Sequence, residues 1–220
     1  MAERENEQAE YDRRWADVAG TYGGGNPGYS KNFVEFMTKW VVDSARPQPR
    51  ALDVGCGDGY FTSNLIRLGC RASGMDLSPV AVDLASKRNP TGDFRTHDLT
   101  TAFPFESDTF DVVWCSEVLE HLFSPLDVLR EICRVLKPGG ILLATTPAHG
   151  RLKNLAIALF CFERHFDPEY PHIRFFTLDS LGKLCEKAGL VGRWSGTCGS
   201  QLGLRDVLFP TNNLMVVEKA

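Results

Sequence analysis

The nine residues Leu52-Asp53-Val54-Gly55-Cys56-Gly57-Asp58-Gly59-Tyr60 constrain this chain more than any other stretch. The run Arg50–Val54 ahead of the glycines reads as a buried strand, and Tyr60–Leu68 after them as a helix. Three glycines at alternate positions permit a tight turn with positive φ and let a ligand approach bare backbone. A strand that feeds a helix through such a turn is the first unit of an α/β sheet, and its ligand sits at the strand's carboxyl end.

The rest of the chain repeats the alternation. Arg71–Met75 predicts a second strand, and Val80–Lys87 a helix opened by Ser78-Pro79, a good N-cap and first-turn pair. Phe94–Thr96 predicts a short strand, and Asp111–Cys115 a continuous apolar one, the pattern of a strand covered on both faces. An amphipathic helix over Pro125–Leu136, a buried strand over Ile141–Thr145 and a helix over Thr177–Ala188 follow. Val191–Thr197 and Leu214–Glu218 end the series as strands. Near the N-terminus Phe33, Phe36, Met37, Trp40 and Val41 recur at helical spacing, and Arg46-Pro47-Gln48-Pro49 ends that helix. The expected fold is one α/β domain, doubly wound around a mostly parallel sheet. Within it, 1–45 is expected as an N-terminal helical cap, 46–146 as the ligand-binding core, 147–176 as a helical lid and 177–220 as a closing helix and strands.

The glycine turn alone fits a dinucleotide or a nucleoside. The dinucleotide fingerprint G-x-G-x-x-G needs glycine at 60, where this chain has Tyr60. Asp53, two residues ahead of Gly55, suits a cationic ligand better than a pyrophosphate. Asp76 closes the second strand, where a carboxylate can accept hydrogen bonds from both ribose hydroxyls. Asp98 follows the third strand and can meet an adenine amino group. Any one of these is more often a turn or cap residue, but three carboxylates at successive strand ends make a nucleoside-binding pattern.

These residues resemble the class I S-adenosylmethionine-dependent methyltransferases, in the broad group that includes the ubiquinone-biosynthesis O-methyltransferases. Leu52–Gly59 is similar to the family's first motif, and Gly139-Gly140 within Arg134–Gly140 to its late turn before the fifth strand. The resemblance is close over Arg50 to Thr146 and loose elsewhere. It implies a Rossmann-like sheet of seven strands with the last antiparallel, and S-adenosylmethionine as cofactor. It places Gly55 and Gly57 beneath the methionine part, Asp76 on the ribose, and Asp98 and Leu99 beside the adenine. Asp53, Cys56, Leu77 and Ser116 complete the cofactor-binding set.

After the fourth strand comes Cys115-Ser116-Glu117-Val118-Leu119-Glu120-His121-Leu122. A helical turn here would put Glu117, Glu120 and His121 at i, i+3 and i+4 on one face, toward the methyl group. Three readings stay open. The trio is a capping and packing cluster; or His121, with Glu117, is catalytic, since its ordinary pKa of about 6.5 suits proton removal; or Glu117, Glu120 and His121 bind Mg²⁺. The last is what the resemblance to some ubiquinone-pathway enzymes implies, although an imidazole is an unusual Mg²⁺ ligand.

Between Pro147 and Phe176 the chain is long for a connector, and such loops are usually functional. Its place after the fifth strand sets it over the methyl donor, with Tyr22, Tyr29 and Lys31 as candidates to close the other side. Leu155–Phe162 is apolar nearly all round. It fits a helix buried on the core, a hydrophobic pocket wall, or a membrane-contacting surface. Arg151, Lys153 and Arg164 favour the last, and Glu163 and Asp167 oppose it. His149, His165 and His172 are each more readily structural than catalytic, and His172 is the strongest candidate after His121.

Composition narrows the partners. The net charge of −4 supplies no basic field for nucleic acid. Seven cysteines, an odd number without a CxxC pair, form neither a zinc site nor a disulfide framework and suit a reducing cytoplasm. The polar first residues are no secretory leader, and no apolar run approaches the roughly 20 residues that span a bilayer, so stable membrane insertion is not expected. A sulfonium methyl is already electrophilic, so the protein's main task is alignment. The expected reaction is methyl transfer to a hydroxyl of a small-molecule acceptor. Its rivals are N-methylation of a natural-product or sugar amine and a non-catalytic S-adenosylmethionine-binding module.

Overall fold

Strand β4 (Phe110–Ser116) shows how the molecule is layered. Val112 and Trp114 point to one face of the sheet and Val113 and Cys115 to the other, and all four are fully buried. Side chains alternate across a strand, so burial on both faces demands two covering layers. The computed structural model of the protein describes residues 12–13, 27–43, 47–166, 172–199 and 209–220.

The other strands are β1 (Arg50–Val54), β2 (Arg71–Asp76), β3 (Asp93–Thr96), β5 (Leu136–Pro147), β6 (Leu190–Cys198) and β7 (Asn212–Lys219). They form one seven-stranded sheet in the order β3-β2-β1-β4-β5-β7-β6. The pairs from β3 through β5 are parallel, and β7 runs antiparallel to both β5 and β6. Strand order reverses between β1 and β4, so the loops leaving those two strands diverge and open a crevice at their carboxyl ends.

The helices are α1 (Pro27–Asp43), α2 (Tyr60–Arg67), α3 (Pro79–Arg88), α4 (Pro125–Val135), α5 (Arg151–Phe160), α6 (Phe162–His165) and α7 (Leu178–Lys187). On one face Val128, Leu129 and Ile132 of α4 and Leu181 and Cys185 of α7 pack with Val113, Cys115, Leu142 and Val217. On the other, Phe33, Phe36, Met37 and Val41 of α1 and Leu65 of α2 pack with Val112, Trp114, Leu143 and Val216. Residues 33–41 thus belong to the layer covering the sheet. Phe33, Phe36 and Phe61 ring Trp114 at centroid distances of 6.4, 6.1 and 5.2 Å. Of these, buried Phe33, Phe36 and Trp114 each stabilise the fold by about 3–5 kcal/mol against truncation.

The elements fall close to their expected limits, with two differences. Strand β5 begins at Leu136, ahead of the expected Ile141, because Leu136 pairs with Phe110 before the register shifts and Val112 pairs with Ile141. Gly139 takes a φ of 71° in that irregularity, and a Cβ on Gly140 would lie 2.8 Å from the Lys137 carbonyl. The second difference is in Leu155–Phe162, whose reading as a core helix is overturned. Only Ile157 is buried in α5, and its large apolar side chains Leu152, Leu155, Leu159 and Phe160 are exposed. No helix among the described residues is long and apolar enough to cross a membrane.

Candidate active site

The crevice begins at the turn after β1. Gly55, Gly57 and Gly59 have φ values of 72°, 51° and 75°, a region in which residues with a Cβ are strained. A Cβ on Gly55 would lie 2.4 Å from Val118 Cγ2, and one on Gly59 would lie 2.7 Å from Asn89 Nδ2. The turn is held to β2, since the amides of Gly55 and Cys56 both donate to the Met75 carbonyl, at 2.8 and 3.0 Å.

Asp76 continues that tie. Its Oδ2 accepts from the Gly57 amide at 2.9 Å and its Oδ1 from the Ser78 amide at 3.0 Å. A carboxylate has about four lone-pair sites, so acceptor capacity remains for a ligand's hydroxyl. Ser78 caps α3 by accepting from the Ala81 amide and also donates to Asp12. Leu77 is half-buried beside them.

Asp53 lies beneath the turn and accepts from Thr62 Oγ1 at 2.6 Å. Burial pushes its pKa from 3.8 to about 7. A cation above the turn would return it to the charged form, and a sulfonium or an α-ammonium supplies one. With the cradle that a Gly55 Cβ would fill, these features fit S-adenosylmethionine. Cys56 is buried, and burial raises its thiol pKa, so it packs as a small apolar group. Asp98 accepts from the Thr100 amide and hydroxyl at 2.9 and 2.7 Å, shaping the turn after β3, and Leu99 packs half-buried against the core beside it.

The acceptor side is built differently. Strand β4 stays paired with β5 through Ser116, whose hydroxyl bonds Thr145 at 2.8 Å. The chain then turns at Glu117, a non-glycine residue with φ 55°, and only Leu119–His121 forms a short 3₁₀ turn. The expected shared helical face of Glu117, Glu120 and His121 is therefore corrected: sheet pairing carries the strand too far for a helix to start at Ser116. Glu117 is spoken for, since Oε1 accepts from Thr145 Oγ1 at 2.8 Å and Oε2 from Asn212 Nδ2 at 3.0 Å. Enclosure pushes its pKa from 4.5 to about 7.

Glu120 joins a different partner. It is fully buried, and its carboxylate has no hydrogen-bond partner among the described residues. One oxygen lies 3.9 Å from Nε2 of His121 and 3.9 Å from Nε2 of His172. The two imidazoles meet edge to face at 4.7 Å. Burial first, and the neighbouring Glu117 second, hold the Glu120 carboxyl well above the ordinary carboxylate range. His172 arrives from 51 residues away because the amides of Ile173 and Arg174 both donate to the Glu120 carbonyl at 3.0 Å.

The Mg²⁺ trio of Glu117, Glu120 and His121 is corrected with the helical face. Among the described residues, those that could hold a cation together are Glu120, His121 and His172. One carboxylate with two imidazoles is a donor set for a borderline transition metal and does not fit Mg²⁺.

His149 follows β5, buried, with Nδ1 against Asn154 Oδ1 at 3.2 Å, and burial lowers its pKa from 6.5 to about 4. Lys153 donates to the Ala148 carbonyl at 2.8 Å, and burial lowers its pKa while the charge of Glu117 opposes that shift. Lys31 is not brought here; it stands 3.9 Å from Glu35 on the exposed side of α1. Tyr22 and the Tyr29 side chain lie outside the described residues. Thr62, Asn89, Thr145 and Asn212 are the positions that sequence reasoning missed, and no motif marks them. Each is a polar residue whose partner lies elsewhere in the fold.

A sequence model of the methyltransferase domain family matches residues 28–193. A ubiquinone biosynthesis O-methyltransferase from Roseobacter denitrificans is 34% identical over 160 residues, covering 67% of this chain and 64% of that protein. One from Xanthomonas campestris pv. campestris (strain B100) is 36% identical over 106 residues, 46% of this chain and 44% of its own length. The chain thus spans less than half the length of the Xanthomonas relative it matches. In shape it is similar to an S-adenosylmethionine-dependent methyltransferase from Mesorhizobium loti, with TM-score 0.66, 16% identity, and coverage of 84% of this chain and 100% of the other. The chain belongs to the methyltransferase domain family. Its fold is the Rossmann-like one of that structural neighbour.

Proposed function

We propose that this domain transfers a methyl group from S-adenosylmethionine to a hydroxyl of a small-molecule acceptor, with His121 taking the hydroxyl proton. The observation that carries this reading is the Glu120 carboxylate buried between the imidazoles of His121 and His172 at the carboxyl end of β4. A phenol or alcohol must lose a proton to act as a nucleophile, whereas a neutral amine needs no base at all. A half-buried imidazole at the mouth of the crevice can serve at neutral pH.

When bound, S-adenosylmethionine supplies an electrophilic methyl carbon on a sulfonium. The residues assigned to hold it are Asp53, Gly55, Cys56, Gly57, Asp76 and Leu77, with Asp98 and Leu99 at the adenine end and Ser116 facing from β4. Asp76 positions the turn through Gly57 and Ser78 and keeps lone pairs for the ribose hydroxyls. Glu117 is a positioning residue: it joins β4, β5 and β7 through Thr145 and Asn212 and sets the course of the chain into His121. Glu120 is a positioning residue for both imidazoles, whose Nε2 atoms stand 3.9 Å from one of its oxygens, and the His121 ring takes the hydroxyl proton and returns it to solvent. The reaction in this form needs no Mg²⁺.

The test is S-adenosylhomocysteine release with panels of phenols, catechols and amines, each run with and without a chelator. Turnover confined to hydroxyl acceptors and indifferent to chelation supports the reading. Turnover confined to amines, or none together with micromolar cofactor binding, replaces it with N-methylation or a binding module. Abolition by chelator, restored by a divalent ion, overturns the metal-free proton transfer.

A further inference from the structure

Lys153 is a cation to which the fold gives no counter-charge. It stands in the first turn of α5, half-buried, on the helix side that bears buried Ile157. An ammonium has three donors. One goes to the Ala148 carbonyl at 2.8 Å, and among the described residues no carboxylate pairs with the others. Glu117 is in electrostatic reach, but its two oxygens already accept from Thr145 and Asn212. The helix adds to the imbalance. Arg151 and Lys153 share a first turn that has no acidic residue and no side-chain cap, so the positive end of the helix dipole reinforces the ammonium. Two imidazoles stand beside the lysine, His149 and His165, with ring centroids 5.4 Å apart. Burial lowers the pKa of both, so neither brings a second cation. Nδ1 of His149 is taken by Asn154, whereas Nε2 of His165 is buried without a partner among the described residues. Phe175 closes on His149 at 4.8 Å and Phe166 on His165 at 5.0 Å.

A partly desolvated charge without a partner is unfavourable, and a ligand of opposite charge relieves it. One ammonium among neutral rings suits a monoanion, while a phosphate is better matched by an arginine fork or several cations. Position assigns the owner of that charge. The cofactor cradle runs from Asp53 to Ser78, on the β1–β3 side. Glu117 acts electrostatically both on Glu120, beside His121, and on Lys153, so all of them belong to the acceptor side. His121 follows β4 and Lys153 follows β5. An acceptor whose hydroxyl meets His121 therefore meets Lys153 with another part of its skeleton. We propose that Lys153 selects acceptors that carry a carboxylate away from the hydroxyl to be methylated, with His165, Phe166 and Phe175 beside that carboxylate. This rests on the reading of the domain as a hydroxyl methyltransferase and narrows its substrate class to hydroxylated carboxylic acids.

Calorimetric titration of the whole chain, saturated with S-adenosylhomocysteine, tests this. The probes are hydroxybenzoic, hydroxyphenylacetic and hydroxycinnamic acids and the methyl ester of each. At least one free acid is expected to bind about tenfold or more tightly than its ester, and Lys153→Met to erase that difference by weakening the acid alone. Lys153→Arg keeps the charge and should recover most of the preference. In turnover the loss in Lys153→Met should fall on KM, with kcat changed by no more than about twofold. Binding is read without methyl transfer, so an acid preference in a domain that releases no S-adenosylhomocysteine supports the proposal even as the hydroxyl-transfer reading fails. Esters that bind as tightly as their acids, or no binding by any acid, overturn it. So does Lys153→Met weakening acid and ester alike, the mark of a packing role. A loss of S-adenosylmethionine affinity in Lys153→Met without acceptor would give the lysine to the cofactor's own carboxylate, and overturn it too.

Discussion

The two sides of the crevice are made by opposite means. On the cofactor side, between β1 and β3, the groups that define the site are largely backbone. They are three glycines with positive φ and amides donating to Asp76 and to the Met75 carbonyl, within the span Asp53 to Ser78. On the acceptor side, past β4 and β5, they are side chains from distant parts of the chain. His121, His149 and His172 come from three separate segments, with Asn212 of β7 behind Glu117. A backbone-built site is rigid and nearly indifferent to its neighbours. A site assembled from side chains can be rebuilt for another acceptor without disturbing the first.

That contrast breaks most visibly at His121. His121→Ala should lower kcat by about 10²–10⁴-fold, the usual contribution of a general base, and leave cofactor affinity unchanged by calorimetry. A tenfold loss of affinity would show the two sides to be coupled. Next in size is Gly55→Ala, which puts a Cβ against Val118 at positive φ. It should cost about 3 kcal/mol in thermal or denaturant unfolding and abolish cofactor binding at micromolar levels.

Asp53 sharpens the comparison through pH. Its folded pKa of about 7 stands above the ordinary 3.8, so its ionisation opposes folding. The penalty is absent below about pH 4, grows between about pH 4 and 7, and is complete above that. Cofactor-free protein should therefore gain stability as pH falls from about 8 to 5.5. Asp53→Asn should remove roughly 2 kcal/mol of that gain, the remainder belonging to groups such as Glu117 that are raised in the same sense. A slope identical in the variant and the parent would exclude Asp53 as the source. The smallest effect is expected on the acceptor side. Gly150→Ala, at a φ of −72° with open space around its Cβ, should change stability by no more than about 0.5 kcal/mol.

The same contrast explains how much was legible beforehand. Gly55, Gly57 and Asp76 could be placed from the sequence because a strand, a glycine turn and a strand-end carboxylate act locally, through geometry that residue type dictates. The sheet's double covering was likewise readable from Asp111–Cys115, whose unbroken apolar run has no exposed face. The Glu117–His121 stretch defeated the same reasoning. Its i, i+3, i+4 spacing is genuine, but pairing of β4 with β5 extends through Ser116 and forces a turn where a helix was expected.

By itself, then, the sequence determined the α/β alternation, the glycine turn and the acidic residues that ring it, since each follows from short-range sterics and from burial on two faces. Only the tertiary structure decided which imidazoles meet Glu120, that Glu117 is consumed by Thr145 and Asn212, and that the apolar side of α5 faces outward. Those outcomes depend on where segments tens of residues apart come to rest, and no residue carries in its own type the identity of the neighbour that packing will bring.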